Sequence, residues 1–134
     1  MSAPFTLAMA QYPIDRVTSL AQWEDKIAAW VAEAAANGAQ LAVFPEYAAI
    51  ELTAIDARAA NDLAYGLTWI ADRREIIDAL HARLASEHGI TLCAGSMPSR
   101  QPDGRHANVA RLFAPGGTMG EQAKQIMTRF EREE

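Results

Sequence analysis

Glu46 stands directly after the apolar run Leu41 to Phe44 and the strand-breaking Pro45, in the string GAQLAVFPEY. A short apolar run ended by proline predicts a buried strand, which places the carboxylate in the turn just past the strand's carboxyl end. Between Phe44 and Tyr47 it is expected to be partly desolvated, and a desolvated carboxylate is a better proton acceptor, suited to general-base work. Ligands of open α/β sheets collect at that end of the strands. An ordinary solvated loop acid is the plain alternative. Lys124 is isolated in Glu121 to Met127, a stretch that reads as strand. Turned inward beside a carboxylate it would stabilise a developing oxyanion; turned outward it is a surface charge.

The other reactive side chains point to packing. Cys93, the single cysteine, lies inside the apolar run ITLCA rather than on an exposed elbow, and is expected to be a buried, unreactive core residue. His81, His88 and His106 have no metal-ligand spacing and read as helix-surface and loop residues. Arg73 and Arg74 read as a solvated helix face. Gly95-Ser96 and Gly116-Gly117 lack the long glycine pattern of a phosphate loop.

The elements that must position Glu46 and Lys124 follow from periodicity. Phe5 to Ala10 (FTLAMA) predicts a strand covered on both faces and limited by Pro13. Ser19 and Gln22 form a capping-box pattern ahead of Leu20, Trp23, Ile27, Trp30, Val31 and Ala34, which recur at helical spacing until Asn37-Gly38. Residues 48 to 65 have no clean period and are expected to be partly helical. Ile70, Ile77, Leu80 and Leu84 mark a second helix from Trp69 to His88, stopped by Gly89. Ile90 to Ala94 predicts a third buried strand, Pro98 to Gly104 a polar loop, and Asn108 to Ala114 with the stretch from Thr118 a hairpin around Pro115-Gly116-Gly117. Strands joined by helices predict an α/β fold with its first three strands parallel.

Composition bounds the function. The chain has 134 residues, half of them apolar, which suits one globular domain. Seventeen acidic against twelve basic residues give a net charge of −5, with no basic run. Nucleic acid and anionic membrane are therefore poor partners. No apolar segment approaches the roughly 20 residues of a membrane span, and a lone cysteine makes no internal disulfide, so a cytoplasmic location is expected. The ending, Phe130 to Glu134, is charged and leaves Ile126-Met127 with little downstream to cover it, as if the chain were cut short.

Taken in order, these segments resemble the nitrilase superfamily of carbon-nitrogen hydrolases. FTLAMAQY is similar to that family's first strand, GAQLAVFPEY to its glutamate motif, ITLCAGS and NVARLFAPGG to later strands, and GEQAKQIM to the strand that carries the family's lysine. The resemblance implies a layered α-β-β-α sandwich, only about half of it present, with residues 1–134 forming a carbon-nitrogen hydrolase domain incomplete at its C-terminus. It implies hydrolysis of a non-peptide carbon-nitrogen bond in a small-molecule amide, nitrile or N-carbamoyl substrate. The roles fall on Glu46 as general base, Lys124 as oxyanion stabiliser and Glu131 as a second glutamate that helps position the site, with Glu133 a weaker match. No metal or organic cofactor is implied, and the complete enzyme is expected to be a homo-oligomer. The family's nucleophilic cysteine lies downstream of the lysine, whereas Cys93 precedes it, so this chain alone is expected to be inactive. The alternatives are a non-catalytic α/β binding module, with Glu46 and Lys124 as surface charges far apart, or a catalytically inactive partner-docking module.

Overall fold

The computed structural model describes residues 2–132, with the side chains of residues 130 and 131 outside that description. Five strands form one sheet in the order β1 (Leu7–Met9), β2 (Leu41–Val43), β3 (Thr91–Arg100), β4 (His106–Phe113) and β5 (Met119–Ala123). The first three run parallel, and β3, β4 and β5 are antiparallel neighbours. The parallel start follows from the long crossovers, since a parallel pair needs a dozen or more residues to return. The α/β class and the terminal hairpin agree with the sequence expectation.

Helix α1 (Leu20–Ala36) begins where Ser19 caps it, its hydroxyl accepting from the Gln22 N–H at 3.1 Å. Gln22 reaches back to the Thr18 N–H at 2.7 Å, one residue earlier than a standard capping box. Trp23, Ile27 and Val31 are the buried stripe. They join Ile77, Leu80 and Leu84 of α3 (Arg74–His88) in a core that includes Ala42, Leu92 and Phe113. Those three residues and Ala8 are paired across β1 to β4, so the two helices cover one sheet face. The helix expected from Trp69 to His88 is instead two, α2 (Leu63–Ala71) and α3, separated at Asp72-Arg73. A 3-10 helix, Ala48–Ile55, occupies the ambiguous stretch before them.

Two strands differ from expectation. β3 continues through Pro98 and Ser99 to Arg100, where a loop was expected, because pairing with His106 to Ala110 overrides the local turn preference. β1 is covered on one face only: Leu7 and Met9 are exposed. Met9, Val43, Cys93 and Leu112 form one cross-strand row on the face away from α1 and α3, and none of the four is fully buried. Cys93 is thus half-buried on an open apolar face, not sealed in the core.

The loop between β1 and α1 is tied down by charge. Glu51 of the 3-10 helix, its side chain wholly buried, accepts from the Tyr12 hydroxyl, from the Asp15 N–H at 2.8 Å and from Lys26 at 2.7 Å. Lys26 also caps the Pro13 carbonyl at 2.6 Å and lies 4.0 Å over the Tyr12 ring. Tyr12 packs edge-on against Phe44, so this cluster steadies the end of β2, two residues before Glu46.

Candidate active site

Pro45 ends β2, and the chain then crosses over β3. Gly95 permits that crossing. It sits at φ +72° in the irregular stretch of β3 between Cys93 and Ser96, and a Cβ there would lie 2.0 Å from the Pro45 carbonyl oxygen. The next residue, Ser96, is buried and accepts the Tyr47 N–H on its hydroxyl at 3.2 Å. Tyr47 itself adopts the left-handed conformation at φ 55°, uncommon for a non-glycine residue. The turn carrying Glu46 is therefore held from both sides by β3.

This crossing delivers Glu46 to residues far along the chain. Lys124 Nζ donates to Glu46 Oε1 at 3.0 Å across 78 positions of sequence, and Asn108 Nδ2 donates to the same oxygen at 2.7 Å. Lys124 lies one residue past β5, where its N–H bonds the Asn108 carbonyl at 2.8 Å and extends the β4–β5 ladder by a step. Lys124 and Asn108 are therefore cross-strand neighbours, and Glu46 descends on both. The two sequence candidates meet past the carboxyl ends of β2 and β5, although β3 and β4 lie between those strands. Such a triad can hold a carboxylate oriented beside a cation, the arrangement that general-base and oxyanion chemistry both require.

The surroundings differ from those expected of a desolvated base. The Glu46 side chain is 54% exposed and that of Lys124 26%, whereas Asn108 is buried. Glu131 falls on the short helix α4 (Arg129–Arg132), but its side chain lies outside the described residues, as does Glu133. Cys93 is held within the ladder opposite Val43 and Leu112, its carbonyl accepting the Phe44 N–H at 2.9 Å. Nothing there resembles an exposed nucleophile elbow.

Other sequence readings need correction. His81 is fully buried rather than on the helix surface, stacked on Phe113 and edge-on to Trp23 and Phe44, with Nδ1 2.8 Å from the Ile77 carbonyl. Arg74 is not a solvated charge but pairs with Asp78 at 3.0 Å and with Glu121. Arg73 stacks over the Trp69 ring at 3.4 Å. Asn108 was missed as a site residue. Its only signal was an asparagine opening an apolar strand, and its contact with Glu46 spans 62 residues.

Comparison with solved structures finds the same architecture. A carbon-nitrogen hydrolase from Helicobacter pylori superposes with a TM-score of 0.68 at 17% identity, covering 94% of this chain and 41% of that one. An amidase of the nitrilase superfamily from Nesterenkonia gives 0.66 at 21% identity, covering 96% and 46%. A CN-hydrolase superfamily protein from Xanthomonas campestris, bearing an arsenic adduct in its active site, gives 0.67 at 20% identity, covering 95% and 43%. The chain thus spans less than half the length of each of these structures. Comparison with curated proteins gave no match. The family model for carbon-nitrogen hydrolases matches residues 6–133, nearly the whole chain, and the chain belongs to that family.

Proposed function

We propose that residues 1–134 supply the base and the cation of a site that hydrolyses a non-peptide carbon-nitrogen bond in a small amide, nitrile or N-carbamoyl compound. The carrying observation is the 3.0 Å approach of Glu46 and Lys124 from positions 78 residues apart. In this reading the Glu46 carboxylate takes the proton of a thiol, and the thiolate attacks the carbonyl carbon of an amide or N-carbamoyl compound, or the nitrile carbon, which takes up water before ammonia leaves. Lys124 stabilises the oxyanion of the tetrahedral intermediate. Ammonia or an amine leaves with a proton returned by Glu46, which then activates the water that cleaves the thioester.

Cys93, fixed inside the ladder, does not serve as that thiol, so the nucleophile comes from outside residues 1–134. The exposure of Glu46 fits the same picture, because electrostatic stabilisation of this kind works best where water is excluded, and here the carboxylate awaits a cover. The open apolar row of Met9, Val43, Cys93 and Leu112 favours a second reading, in which the chain docks a partner without chemistry of its own.

Release of ammonia from short amides, nitriles and N-carbamoyl compounds by the full-length protein separates the two. Glu46→Gln is expected to lower kcat/KM by about 10²- to 10⁴-fold, and Lys124→Ala by about 10²- to 10³-fold. Unchanged turnover in Glu46→Gln would remove the general-base role, and absence of turnover in the wild-type full-length protein would leave docking. Turnover by the 134-residue chain alone that vanished in Cys93→Ala would overturn the placement of the nucleophile.

A further inference from the structure

We propose that Asn108 is a positioning residue that decides which oxygen of Glu46 handles the proton, an inference that rests on Glu46 being the general base. Both described donors, Asn108 Nδ2 at 2.7 Å and Lys124 Nζ at 3.0 Å, converge on Oε1. Among the described residues none donates to Oε2. A carboxylate oxygen that already accepts two hydrogen bonds, one from a cation, has less electron density for a third proton than its partner. Oε2 is therefore the basic oxygen: the thiol S–H bond breaks, an O–H bond forms at Oε2, and the sulfur keeps the electron pair.

Asn108 is placed to impose this order. The Glu46 side chain is more than half exposed, and its other described donor is the long, flexible Lys124 side chain, whereas Asn108 is only 4% exposed and fixed by its strand. Its pairing with Pro98 sets it in β4, and its carbonyl takes the Lys124 N–H at 2.8 Å. One residue thus fixes the carboxylate through its side chain and the lysine backbone through its main chain. Being neutral, the amide orients Glu46 without adding a second positive charge beside the carboxylate.

The test is the pH dependence of amide hydrolysis by the full-length protein carrying Asn108→Leu or Asn108→Asp. Leucine keeps the bulk and removes the donor. It is expected to lower kcat by about 10- to 100-fold, with KM within about twofold, and to move the acid limb of the profile to higher pH, because a hydrogen bond to the charged form has been lost. Aspartate keeps the shape. Ionised, it repels Glu46; protonated, it can donate to Oε1, so part of the lost activity should return as pH falls. A purely structural asparagine would give losses that do not depend on pH and that track thermal stability. If Asn108→Leu does not fold, the profile of Asn108→Asp decides. Wild-type kcat and pH profile in a folded Asn108→Leu, with Glu46→Gln inactive, would overturn this proposal alone, whereas an active Glu46→Gln would remove the reading beneath it.

Discussion

Gly95 approaches Pro45 so closely that any side chain on it would collide with the backbone: a Cβ would lie 2.0 Å from the Pro45 carbonyl oxygen and 3.0 Å from its carbon. The residue also adopts φ +72°, a region L side chains rarely enter. Neither the carbonyl nor the strand can withdraw without moving the Glu46 turn. Gly95 is therefore the contact that sets how low Glu46 passes over β3.

Gly95→Ala is expected to cost about 3 kcal/mol or more in stability, from the forced backbone shift together with the strained φ. Urea unfolding measures it. Wild-type stability in this variant would mean that the crossing has slack, and that Glu46 is positioned by something else.

His81 makes stability depend on pH in a defined window. Burial is the main cause holding its pKa at about 4, down from the ordinary 6.5, assisted by the Arg111 charge and opposed by the hydrogen bond to the Ile77 carbonyl. The folded state resists the proton that the unfolded chain binds near pH 6.5. Stability from this group is thus fully present above pH 6.5 and is lost as pH falls toward 4, by about 3 kcal/mol in all. His81→Phe, which keeps an aromatic ring among Trp23, Phe44 and Phe113, should lose less stability than wild type between pH 7 and pH 4.5, by about 2 to 3 kcal/mol. Equal losses in the two proteins would acquit His81.

How much of this was legible in the sequence depends on the range of the forces involved. Helix α1 was readable because its cap and its stripe of Trp23, Ile27 and Val31 are local. The break between α2 and α3 was not. Ile70 and Ile77 lie seven residues apart, two helical turns, and the intervening turn, in which the Arg73 N–H bonds the Ile70 carbonyl, carries no glycine or proline to announce it. The extension of β3 through Pro98 depended on a strand not yet paired. Glu46 could be placed because Pro45 ends its strand, but its exposure depends on what lies above a sheet face, which local pattern does not encode. Asn108 needed the register of β4 against β5 and the crossing at Gly95 together, and neither is written at position 108.

The uncovered sheet face has a measurable consequence. Leu7, Met9 and Leu112 are 49%, 76% and 43% exposed and lie on the same face, and contiguous apolar patches of this kind associate or bind dye. The isolated 134-residue chain is expected to enhance the fluorescence of a hydrophobic dye and to sediment as more than a monomer. Met9→Lys with Leu112→Glu should reduce both signals while Trp23 and the opposite core stay intact. A monomeric, dye-silent wild-type chain would show that the face is satisfied without a partner.

The last prediction concerns the charge that fastens α3 to the strand irregularity beneath the turn that carries Glu46. Arg111 is 1% exposed, yet its guanidinium reaches Asp78 of α3 at 2.8 Å through Nε and the Gly95 carbonyl at 3.0 Å through Nη1. Burial pulls the Arg111 pKa below its usual value, and the Asp78 charge works against that pull. An ion pair this deep contributes little net stability over an apolar pair, but removing one partner strands the other in a medium that solvates it poorly. Asp78→Asn should therefore cost about 3 to 5 kcal/mol, although it deletes one charge and no bulk. Combining it with Arg111→Met should recover most of that loss, since no buried charge is then left alone. A cost under about 1 kcal/mol for Asp78→Asn alone would mean that water relieves Arg111. Because Arg111 holds Gly95, and Gly95 holds Pro45, the single variant should also weaken the Glu46 turn. Faster hydrogen exchange at the Tyr47 amide in Asp78→Asn, reversed in the double variant, is the expected sign that this chain of contacts carries the coupling.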